Sequence, residues 1–368
     1  MSAQRVDVHR ITMRGPGDVS GLASLLGTGG LRAEHVVAIL GKTEGNGGVN
    51  DFTREYACRA FAQALAPGLG CAPGEVEARI AMVMSGGTEG VLSPHATVFS
   101  RRPGGSPAGA KRLAVGVAQT RDFLPEELGR APQIHETARA VRAAMKDAGL
   151  EDAADVHFVQ VKCPLLTSER VEAALARGNR TITDEAYASM GYSRGASALG
   201  VAVALGEIDE RVHEDAVLAD WRLFSAVAST SAGIELLHNA VVVMGNSAAS
   251  ESACVIGHAV MRDAIDLRAV QDAFASVGLD ASRGLDAAAA ERVVNVFAKA
   301  EASPDGLVRG LRHTMLDDTD ISATRHARAA VGGLIAGVAG CGAVYVSGGA
   351  EHQGPAGGGP IAVIARAG

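Results

Sequence analysis

Long apolar runs and basic runs are both missing from this chain of 368 residues. No window approaches the roughly 18 apolar residues of a membrane-spanning helix, and the N-terminus lacks the apolar stretch of a signal peptide. No run of lysines and arginines forms a basic patch, and the formal net charge is −7. These absences argue against a membrane protein and against nucleic-acid binding, and they predict a cytoplasmic location.

Cysteine and histidine occur without the spacing of common metal or redox sites. The five cysteines are widely separated and include no CxxC, which argues against a zinc knuckle and a thioredoxin-like pair. The eleven histidines include no HxH or HExxH pair, so a zinc-dependent hydrolase is poorly supported. The glycine tract 354–360 is not followed by Gly-Lys-Ser or Gly-Lys-Thr, which excludes a P-loop.

The composition is that of a folded protein with many turns. Apolar residues make up 47% of the chain and charged residues 20%, so a sizeable core is expected rather than disorder. The 46 glycines suit sharp turns and backbone that approaches a ligand closely. β-Prone runs alternate with helix-like segments of roughly 10–15 residues, a pattern that predicts an α/β fold.

One pattern of residues occurs three times along the chain. Each copy has a lysine at the end of an apolar run, then an arginine at the start of a helix-like segment, then a serine where a buried strand opens into a tight turn. These residues are Lys42, Arg54 and Ser85; Lys162, Arg194 and Ser231; and Lys299, Arg325 and Ser347. The repetition predicts three copies of one unit, over residues 1–105, 113–250 and 256–368, with a flexible linker at 101–110.

The repeated residues suit one kind of chemistry. A serine hydroxyl becomes a strong nucleophile when a base takes its proton, and a lysine that is buried among other cations can do this as the neutral amine. The Gly-Gly or Ala-Gly after each serine exposes backbone N–H groups of the kind that stabilise an oxyanion. From the residues alone, each of the three pairs is an equal candidate for a Ser-Lys dyad.

Each arginine is predicted to lie in the first turn of a helix, where helix N–H groups and the guanidinium both favour an anion or a carbonyl oxygen. The candidate caps are Asn50 or Asp51, Ser193, and Asp320 or Ser322. The sequence GYSRG at 191–195 also matches the GxSxG motif of serine hydrolases, but residues 181–190 are polar and not strand-like. The serine of this motif is therefore interpreted as a helix cap.

Four long motifs resemble those of the cyanuric acid hydrolase/barbiturase family of ring-opening cyclic amidases. They are GKTEGNGGVNDFTR at 41–54, MSGGTEGVLSPH at 84–95, GYSRGASA at 191–198 and SGGAEHQGPAGGGP at 347–360. Residues 162–166 and 295–310 look closest to the cyanuric acid hydrolase branch. The resemblance implies an α/β fold of three pseudo-symmetric repeats, each a four-stranded sheet with outer helices, packed as a β-barrel around a central active site. It also implies a homotetramer.

The resemblance implies roles for individual residues as well. Ser231 looks like the nucleophile and Lys162 like its base, whereas Lys42 and Lys299 belong to the other two dyads. Ile321 is the candidate for tuning specificity. The residues expected to hold the substrate are Arg54, Ser85, Gly86, Arg194, Ser231, Ala232, Arg325, Ser347 and Gly348.

A structural divalent cation, Mg²⁺ or Ca²⁺, is also implied by the resemblance. The matching positions are Glu301 and carbonyls of the glycine-rich loop, namely Ala350, Gln353, Gly354, Pro355 and Gly358. A single carboxylate with backbone oxygens suits a hard cation in a structural role.

The implied reaction opens the s-triazine ring of cyanuric acid to carboxybiuret, which then gives biuret and CO₂. This substrate is a threefold-symmetric ring of alternating C=O and N–H groups, which three like edges of a site would complement. Two alternatives remain open: a barbiturase that hydrolyses barbituric acid to ureidomalonate, and a ring-binding protein without catalytic activity.

Overall fold

The computed structural model describes residues 3–104 and 109–368. Its first unit contains a four-stranded sheet, and the helices lie between successive strands. The elements are β1 (Gln4–Thr12), α1 (Ser20–Gly27), β2 (Val36–Thr43), α2 (Phe52–Leu69), α3 (Pro73–Val76), β3 (Ala81–Gly86) and β4 (His95–Pro103).

A second four-stranded sheet follows, with its longest helix between its second and third strands. Its elements are β5 (Arg112–Gln119), α4 (Ala131–Ala148), β6 (Val156–Pro164), α5 (Ser168–Ala176), α6 (Ala186–Leu205), β7 (Ala228–Gly233) and β8 (Ala240–Ser247).

The C-terminal part of the chain forms a third four-stranded sheet and a small two-stranded ribbon. Its elements are β9 (Cys254–Met261), α7 (Leu267–Ala275), α8 (Ala287–Arg292), β10 (Val293–Ala300), β11 (Leu307–Val308), β12 (Leu311–Arg312), α9 (Ala323–Ala339), β13 (Tyr345–Gly348) and β14 (Gly359–Arg366). Short 3-10 helices cover Ala33–His35, Pro125–Glu127, Ala153–Asp155 and Glu214–Ala216. None of the described helices combines the length and apolarity that a membrane span requires.

The three larger sheets share one strand order. In space the strands run β1-β4-β2-β3, β5-β8-β6-β7 and β9-β14-β10-β13. In each sheet the last strand pairs antiparallel with the first and second strands, and the third strand is parallel to the second. A parallel pair needs a crossover connection, and here α2, α5 with α6, and α9 lie in those crossovers.

Each sheet has two apolar faces, because successive residues of a strand point to opposite sides. In β2, Ala38 and Leu40 belong to a core that all three sheets share, whereas Ile39 packs with side chains of α2. Helices α4 and α6 cover the second sheet in the same way, and α7 and α9 cover the third. Each sheet therefore lies between helices and the shared core.

Aromatic side chains from all three sheets meet in the shared core. The ring of Phe297 lies 6.4 Å from that of Phe99, 5.5 Å from that of Phe158 and 5.5 Å from that of Tyr345. All four side chains are fully buried. The sheets are thus joined through packed faces, close to the ends of the parallel strand pairs.

The α/β prediction is confirmed, but the predicted β-barrel is not found. Within residues 3–104 and 109–368, the ladders of strand pairing stay inside each sheet, and links outside them are isolated bridges such as that between Gln4 and Ser250. The physical reason is that the sheets meet through their faces, so their edge strands do not pair with one another.

Three local predictions need correction. Residues 101–103 of the predicted linker are the end of β4, and residues 105–108 lie outside the described part of the chain. Ser193 is not a helix cap, and Arg194 does not lie in a first helical turn, because α6 begins at Ala186 with Glu185 in the cap position. Ser193 is instead buried inside the helix, where Gln133 Nε2 donates to its hydroxyl at 2.8 Å.

Candidate active site

The parallel strand pairs place each lysine opposite the serine of its own sheet. Lys42 is in register with Ser85, Lys162 with Ser231, and Lys299 with Ser347. Residues in register on parallel strands project to the same face of the sheet. The recurring order of lysine and serine in the sequence therefore corresponds to three adjacent pairs in space.

The three serines meet at one point. Ser347 Oγ lies 3.2 Å from Ser85 Oγ and 3.1 Å from Ser231 Oγ. The buried hydroxyl of Tyr345 lies close to this cluster: burial raises its pKa, and the hydroxyls of Ser85 and Ser231 oppose that rise. Eight of the nine predicted substrate residues line the small cavity at this point, namely Arg54, Ser85, Gly86, Arg194, Ser231, Ala232, Ser347 and Gly348.

Two of the three lysines donate to their own serine. Lys42 Nζ lies 3.1 Å from Ser85 Oγ, and Lys299 Nζ lies 3.2 Å from Ser347 Oγ. Each amine also donates to the backbone carbonyl of the residue after its serine, at 3.2 Å and 2.9 Å. Lys299 Nζ makes a further contact of 2.8 Å with the carbonyl of Thr230, which belongs to the second sheet.

Burial favours the neutral amine at both of these lysines. It lowers the pKa of Lys42 well below its ordinary value, and the nearby charge of Arg328 adds to the effect. It also lowers the pKa of Lys299 to about 7, again with help from a cation, Arg194. Desolvation and like charge both disfavour an ammonium group.

Lys162 has different partners. Its Nζ donates to the carbonyl of Met84 at 3.1 Å and lies 2.7 Å from Glu235 Oε1, with no hydrogen bond to Ser231 among the described residues. This contact is an ion pair rather than a well-aligned hydrogen bond, because Oε1 has no donor in hydrogen-bonding geometry within the described chain. Burial raises the pKa of Glu235, but the charges of Lys162 and Arg54 outweigh it and hold that pKa below its usual value.

Arg54 lies in the first turn of α2, as predicted, and Asp51 fixes the start of that helix. Asp51 Oδ1 accepts from Thr53 N at 3.1 Å, and Oδ2 accepts from Gly47 N at 2.8 Å. A Cβ atom on Gly86 would collide with the Asp51 carboxylate. Glycine at this position therefore lets the turn after the first serine approach the helix cap.

The third arginine at the cavity is Arg328 rather than the predicted Arg325. Arg328 lines the cavity with its side chain 4% exposed, whereas Arg325 does not line it and is 43% exposed. The two residues are nearly one turn apart on α9, since a helix has about 3.6 residues per turn. Both fit the sequence pattern, and Arg328 lies one turn deeper, where α9 passes the serines.

The predicted specificity residue, Ile321, also lies away from the cavity. It precedes α9, is 41% exposed and does not line the cavity. The reason is the same shift of one helical turn. Thr324, one turn before Arg328, packs against Gly348, since a Cβ atom there would collide with the Thr324 methyl group.

Glutamates from the turns after the serines hold two of the arginines. Arg194 Nε and Nη2 donate to Glu351 at 2.8 and 2.5 Å, and Arg328 Nε and Nη2 donate to Glu89 at 2.7 and 2.6 Å. Such bidentate pairs fix a guanidinium both in position and in orientation. The sequence reasoning missed these glutamates, although each one follows its serine by four residues in all three copies.

Each arginine contacts the turn of a sheet other than its own. Arg194 of the second unit binds the third, and Arg328 of the third binds the first. Arg54 of the first unit completes the cycle, because its Nη1 donates to the carbonyl of Ala232 at 3.3 Å. Its Nη2 donates to Gly48 at 2.9 Å, while its Nε has no partner within the described residues.

The sequence matches a known family along nearly its whole length. A family model described as amidohydrolase ring-opening protein matches residues 7–366. The chain belongs to this family of ring-opening amidohydrolases. The cyanuric acid amidohydrolase of Bradyrhizobium diazoefficiens is 69% identical, over 100% of this chain and 99% of its own. That of Pseudomonas sp. strain ADP is 58% identical, over 98% of this chain and 99% of its own.

Two solved structures of ring-opening amidohydrolases share the fold. One, described as "Cyanuric acid hydrolase: evolutionary innovation by structural concatenation", has a TM-score of 0.95 and 57% identity, and covers 99% of this chain and 100% of its own. The cyanuric acid hydrolase from A. caulinodans has a TM-score of 0.91 and 50% identity, and covers 99% of both chains. The family resemblance inferred from the motifs is confirmed, while the roles of individual site residues stay predictions.

Glu301, the predicted cation ligand, lies beside a second carboxylate. Burial and the charge of Glu351 raise the pKa of Glu301 to about 6, and no lysine or arginine forms an ion pair with it within the described residues. The described residues contain no group of three or more His, Cys, Asp or Glu side chains suited to a metal. The all-oxygen set of one carboxylate and the carbonyls of Ala350, Gln353, Gly354, Pro355 and Gly358 fits a hard cation.

The buried Lys42 should contribute to the pH dependence of the unfolding free energy. Because its pKa is lowered on folding, the unfolded chain binds a proton over a pH range in which the folded chain does not. This lysine therefore adds up to about 1.4 kcal/mol per pH unit to the rise in unfolding free energy over that range, which ends near the ordinary lysine pKa of about 10.4. Lys299, whose pKa is also lowered, contributes a slope of its own. Urea unfolding at several pH values should show that Lys42→Met lacks the part of the slope due to Lys42. Lys146→Met, at an exposed lysine, should keep it. Equal slopes in the wild type and Lys42→Met would contradict the neutral amine.

The two arginines of α9 should differ in their effect on turnover. Arg328→Ala removes a buried guanidinium from the cavity and should reduce kcat/KM for cyanuric acid, the compound after which these relatives are named, by about 100-fold or more. Arg325→Ala, one turn away and half-exposed, should stay within about threefold of the wild type. The reverse order of effects would restore Arg325 as the substrate arginine.

Proposed function

We propose that this protein hydrolyses cyanuric acid, opening the ring to carboxybiuret, which loses CO₂ to give biuret. The observation that carries the proposal is the meeting of three serine hydroxyls, of which Ser347 Oγ lies within 3.2 Å of the other two, each opposite a buried lysine. Relatives of 50–69% identity named cyanuric acid amidohydrolase support the choice of substrate.

The arrangement of polar groups is complementary to that ring. Three guanidinium groups, from Arg54, Arg194 and Arg328, surround the three serines, and each donates hydrogen bonds suited to a ring oxygen. The serine hydroxyls both donate and accept, so they suit the ring N–H groups. A ring of three C=O and three N–H groups presents the same edge to each sheet.

In the proposed mechanism, Ser231 Oγ attacks a ring carbonyl carbon while Lys162, as the neutral amine, takes the hydroxyl proton. Backbone N–H groups after the serines and the arginines stabilise the oxyanion. The ring C–N bond breaks, and the nitrogen receives the proton from Lys162. Water then attacks the acyl group on Ser231 and releases carboxybiuret. The family resemblance supports Ser231 and Lys162 over the other two pairs. Lys162 also differs from Lys42 and Lys299 in the groups that its amine contacts.

The three sheets are proposed to be copies of one unit, over residues 1–105, 113–250 and 256–368, around a pseudo-threefold axis between the serines. Their shared strand order supports this, as does the cycle of arginine contacts from each unit to the next. Assembly as a homotetramer and a cytoplasmic location stay predictions.

A structural Mg²⁺ or Ca²⁺ is proposed at Glu301 and the loop carbonyls named above. The cation would offset the charge of Glu301, which lies beside Glu351, and its role is structural rather than catalytic. The loop has a direct link to the nucleophile's strand, because Gln353 Oε1 accepts from Thr230 N at 2.6 Å, one residue before Ser231. A bound cation would therefore steady this strand.

Removal of either member of the proposed dyad should abolish turnover. Ser231→Ala and Lys162→Ala should each reduce kcat for cyanuric acid by at least about 1,000-fold, and the double variant should be hardly worse, since the two act as a unit. Ser85→Ala and Ser347→Ala should keep more activity, because those serines hold the ring. Equal partial losses at all three serines would contradict a single catalytic pair.

The same assay distinguishes the alternatives. Purified wild type should turn over cyanuric acid and treat barbituric acid as a poor substrate or an inhibitor, because a CH₂ group replaces one ring N–H and leaves a buried acceptor unpaired, at about 1–3 kcal/mol. Turnover of barbituric acid that equals or exceeds that of cyanuric acid would indicate a barbiturase. Binding without turnover of either ring would indicate a ring-binding protein.

The cation site can be tested by thermal unfolding. Chelation with EDTA should lower the Tm of the wild type by about 3–4 °C, the size expected for a site occupied at about 100 times its Kd. Added Mg²⁺ or Ca²⁺ should restore it. Glu301→Ala should be insensitive to EDTA, and Glu291→Ala, at an exposed glutamate, should respond as the wild type does. A wild type whose Tm ignores chelator and cation would contradict the site.

A further inference from the structure

A second cavity reaches the partner of Lys162 from the protein surface. It has a volume of about 650 Å³ and lies between α2, α3 and the turn after β7. Its walls include Glu55, Cys58, Glu77 and Glu235. The cavity is distinct from the substrate site: apart from the second-sheet turn that both touch, the two are lined by different residues.

Glu235 forms the boundary between this cavity and the amine of Lys162. Its Oε1 lies 2.7 Å from Lys162 Nζ, and the exposed fractions of the two side chains are 14% and 1%. The glutamate therefore contacts water on one side and the buried amine on the other. The corresponding amines of Lys42 and Lys299 have no carboxylate partner within the described residues.

The cause of this difference lies in the arginines. Glu89 and Glu351 occupy the same position in their turns, four residues after the serine, and each is engaged by a guanidinium. Arg54 is the arginine that contacts the turn of Glu235, but it donates to backbone carbonyls and not to the glutamate. Because no guanidinium engages Glu235 in this way, its Oε1 can lie next to Lys162 Nζ.

We propose that Glu235 and this cavity exchange protons between Lys162 and solvent, by a route separate from the mouth of the substrate site. The ammonium of Lys162 passes one proton to the carboxylate of Glu235, and the resulting carboxylic acid passes it to cavity water. The amine is then neutral and the carboxylate is restored. The reverse sequence reprotonates the lysine.

This inference rests on the proposed function, which creates the need for such a route. A ring bound over the serines excludes water from the front of the site. Hydrolysis also produces a carbamic acid that ionises at neutral pH, so release of the product as its anion leaves a proton to be removed. The second cavity at Glu235 allows this proton to reach solvent while the bound ring closes the substrate cavity.

The charged and titratable groups around the pair are compatible with this role. On α2, Arg54 favours the carboxylate of Glu235, and burial raises the pKa of Cys58, with a smaller contribution from the charge of Glu235. Beyond α3, burial raises the pKa of Glu77, and the charge of Glu235 adds to it. Cys163, next to Lys162 on β6, is fully buried, and burial raises its pKa too. Both thiols thus stay protonated and take no part in the exchange, and Glu77 lies on the cavity wall without contact to Lys162.

Glu235→Gln keeps the shape of the side chain and removes its charge and its exchangeable proton. For hydrolysis of cyanuric acid we expect kcat to fall by at least about tenfold and KM to change by less than about threefold, because the substitution lies behind the dyad. The acid limb of the kcat/KM profile should move to lower pH, since the ammonium loses its counter-charge. Glu77→Gln, on the same cavity wall without contact to Lys162, should change kcat by less than about twofold.

Chemical rescue separates proton exchange from a structural role. In Glu235→Ala, formate can enter the cavity and take the place of the carboxylate, so kcat should rise with formate in a saturable way. Glu235→Asp should keep part of the activity. An unchanged kcat and pH profile in Glu235→Gln, or a loss that formate does not rescue in a variant of normal Tm, would overturn the proposal.

An experiment that does not depend on turnover tests proton exchange at Lys162 separately from the proposed function. With ¹⁵N-labelled lysine side chains, NMR reports how fast the Nζ protons of Lys162 exchange with solvent. Exchange should slow in Glu235→Gln and stay normal in Glu77→Gln, and equal rates in all three proteins would overturn the route. A wild type that fails to hydrolyse cyanuric acid would instead refute the proposed function, whatever the exchange rates show.

Discussion

Six cationic side chains, five of them buried and Arg194 nearly so, surround one point, and this is the constraint on which the rest of this structure depends. Transfer of an unpaired charge from water into a protein interior costs several kcal/mol or more, so each of these groups needs a partner or must lose its charge. Both solutions are present. Arg194, Arg328 and Lys162 have largely buried carboxylates as partners. Lys42 and Lys299 have lowered pKa values and donate to serine and to carbonyl oxygens.

Most of these partners come from a different sheet, which makes the site a property of the whole fold. Arg54, Arg194 and Arg328 each bind the turn of another unit, and Lys162 and Lys299 each donate to a carbonyl of another unit. A single sheet folded alone would leave these charges without partners. The shared aromatic core below the serines then fixes the distance between the sheets, so the polar contacts form in one geometry.

The sequence was sufficient to predict the parts of the site that depend on local pattern. Each lysine and each serine ends a β-prone run, and parallel neighbours bring such ends together, so the three pairs could be predicted. Arg328 could not be, because Arg325 also fits the start of the same helix. The exclusion of Arg325 from the cavity depends on how deep each turn of α9 lies in the fold, which no local pattern encodes. The β-barrel was an expectation from family resemblance, and it failed because the sheets meet through faces.

The partner of Lys162 shows a second limit of sequence reasoning. The glutamate four residues after each serine occurs in all three turns, so repetition predicts the same behaviour for each. In space, Glu89 and Glu351 bind arginines and Glu235 binds a lysine. The difference arises from the hydrogen bonds that Arg54 makes elsewhere. Similar residues in similar turns can thus differ in function through a neighbour that is distant in the sequence.

Three sheets of one strand order on a single chain can diverge independently, which three identical subunits could not do. In a symmetric trimer, a carboxylate placed beside one lysine would be placed beside all three, and every edge of the site would change together. Here the residues two positions before the serines are Val83, Ser229 and Tyr345, so one aromatic hydroxyl enters the centre from one side alone. Covalent linkage of the units therefore allows the site to keep three similar edges for contact while one edge has a lysine–glutamate pair that the other two lack.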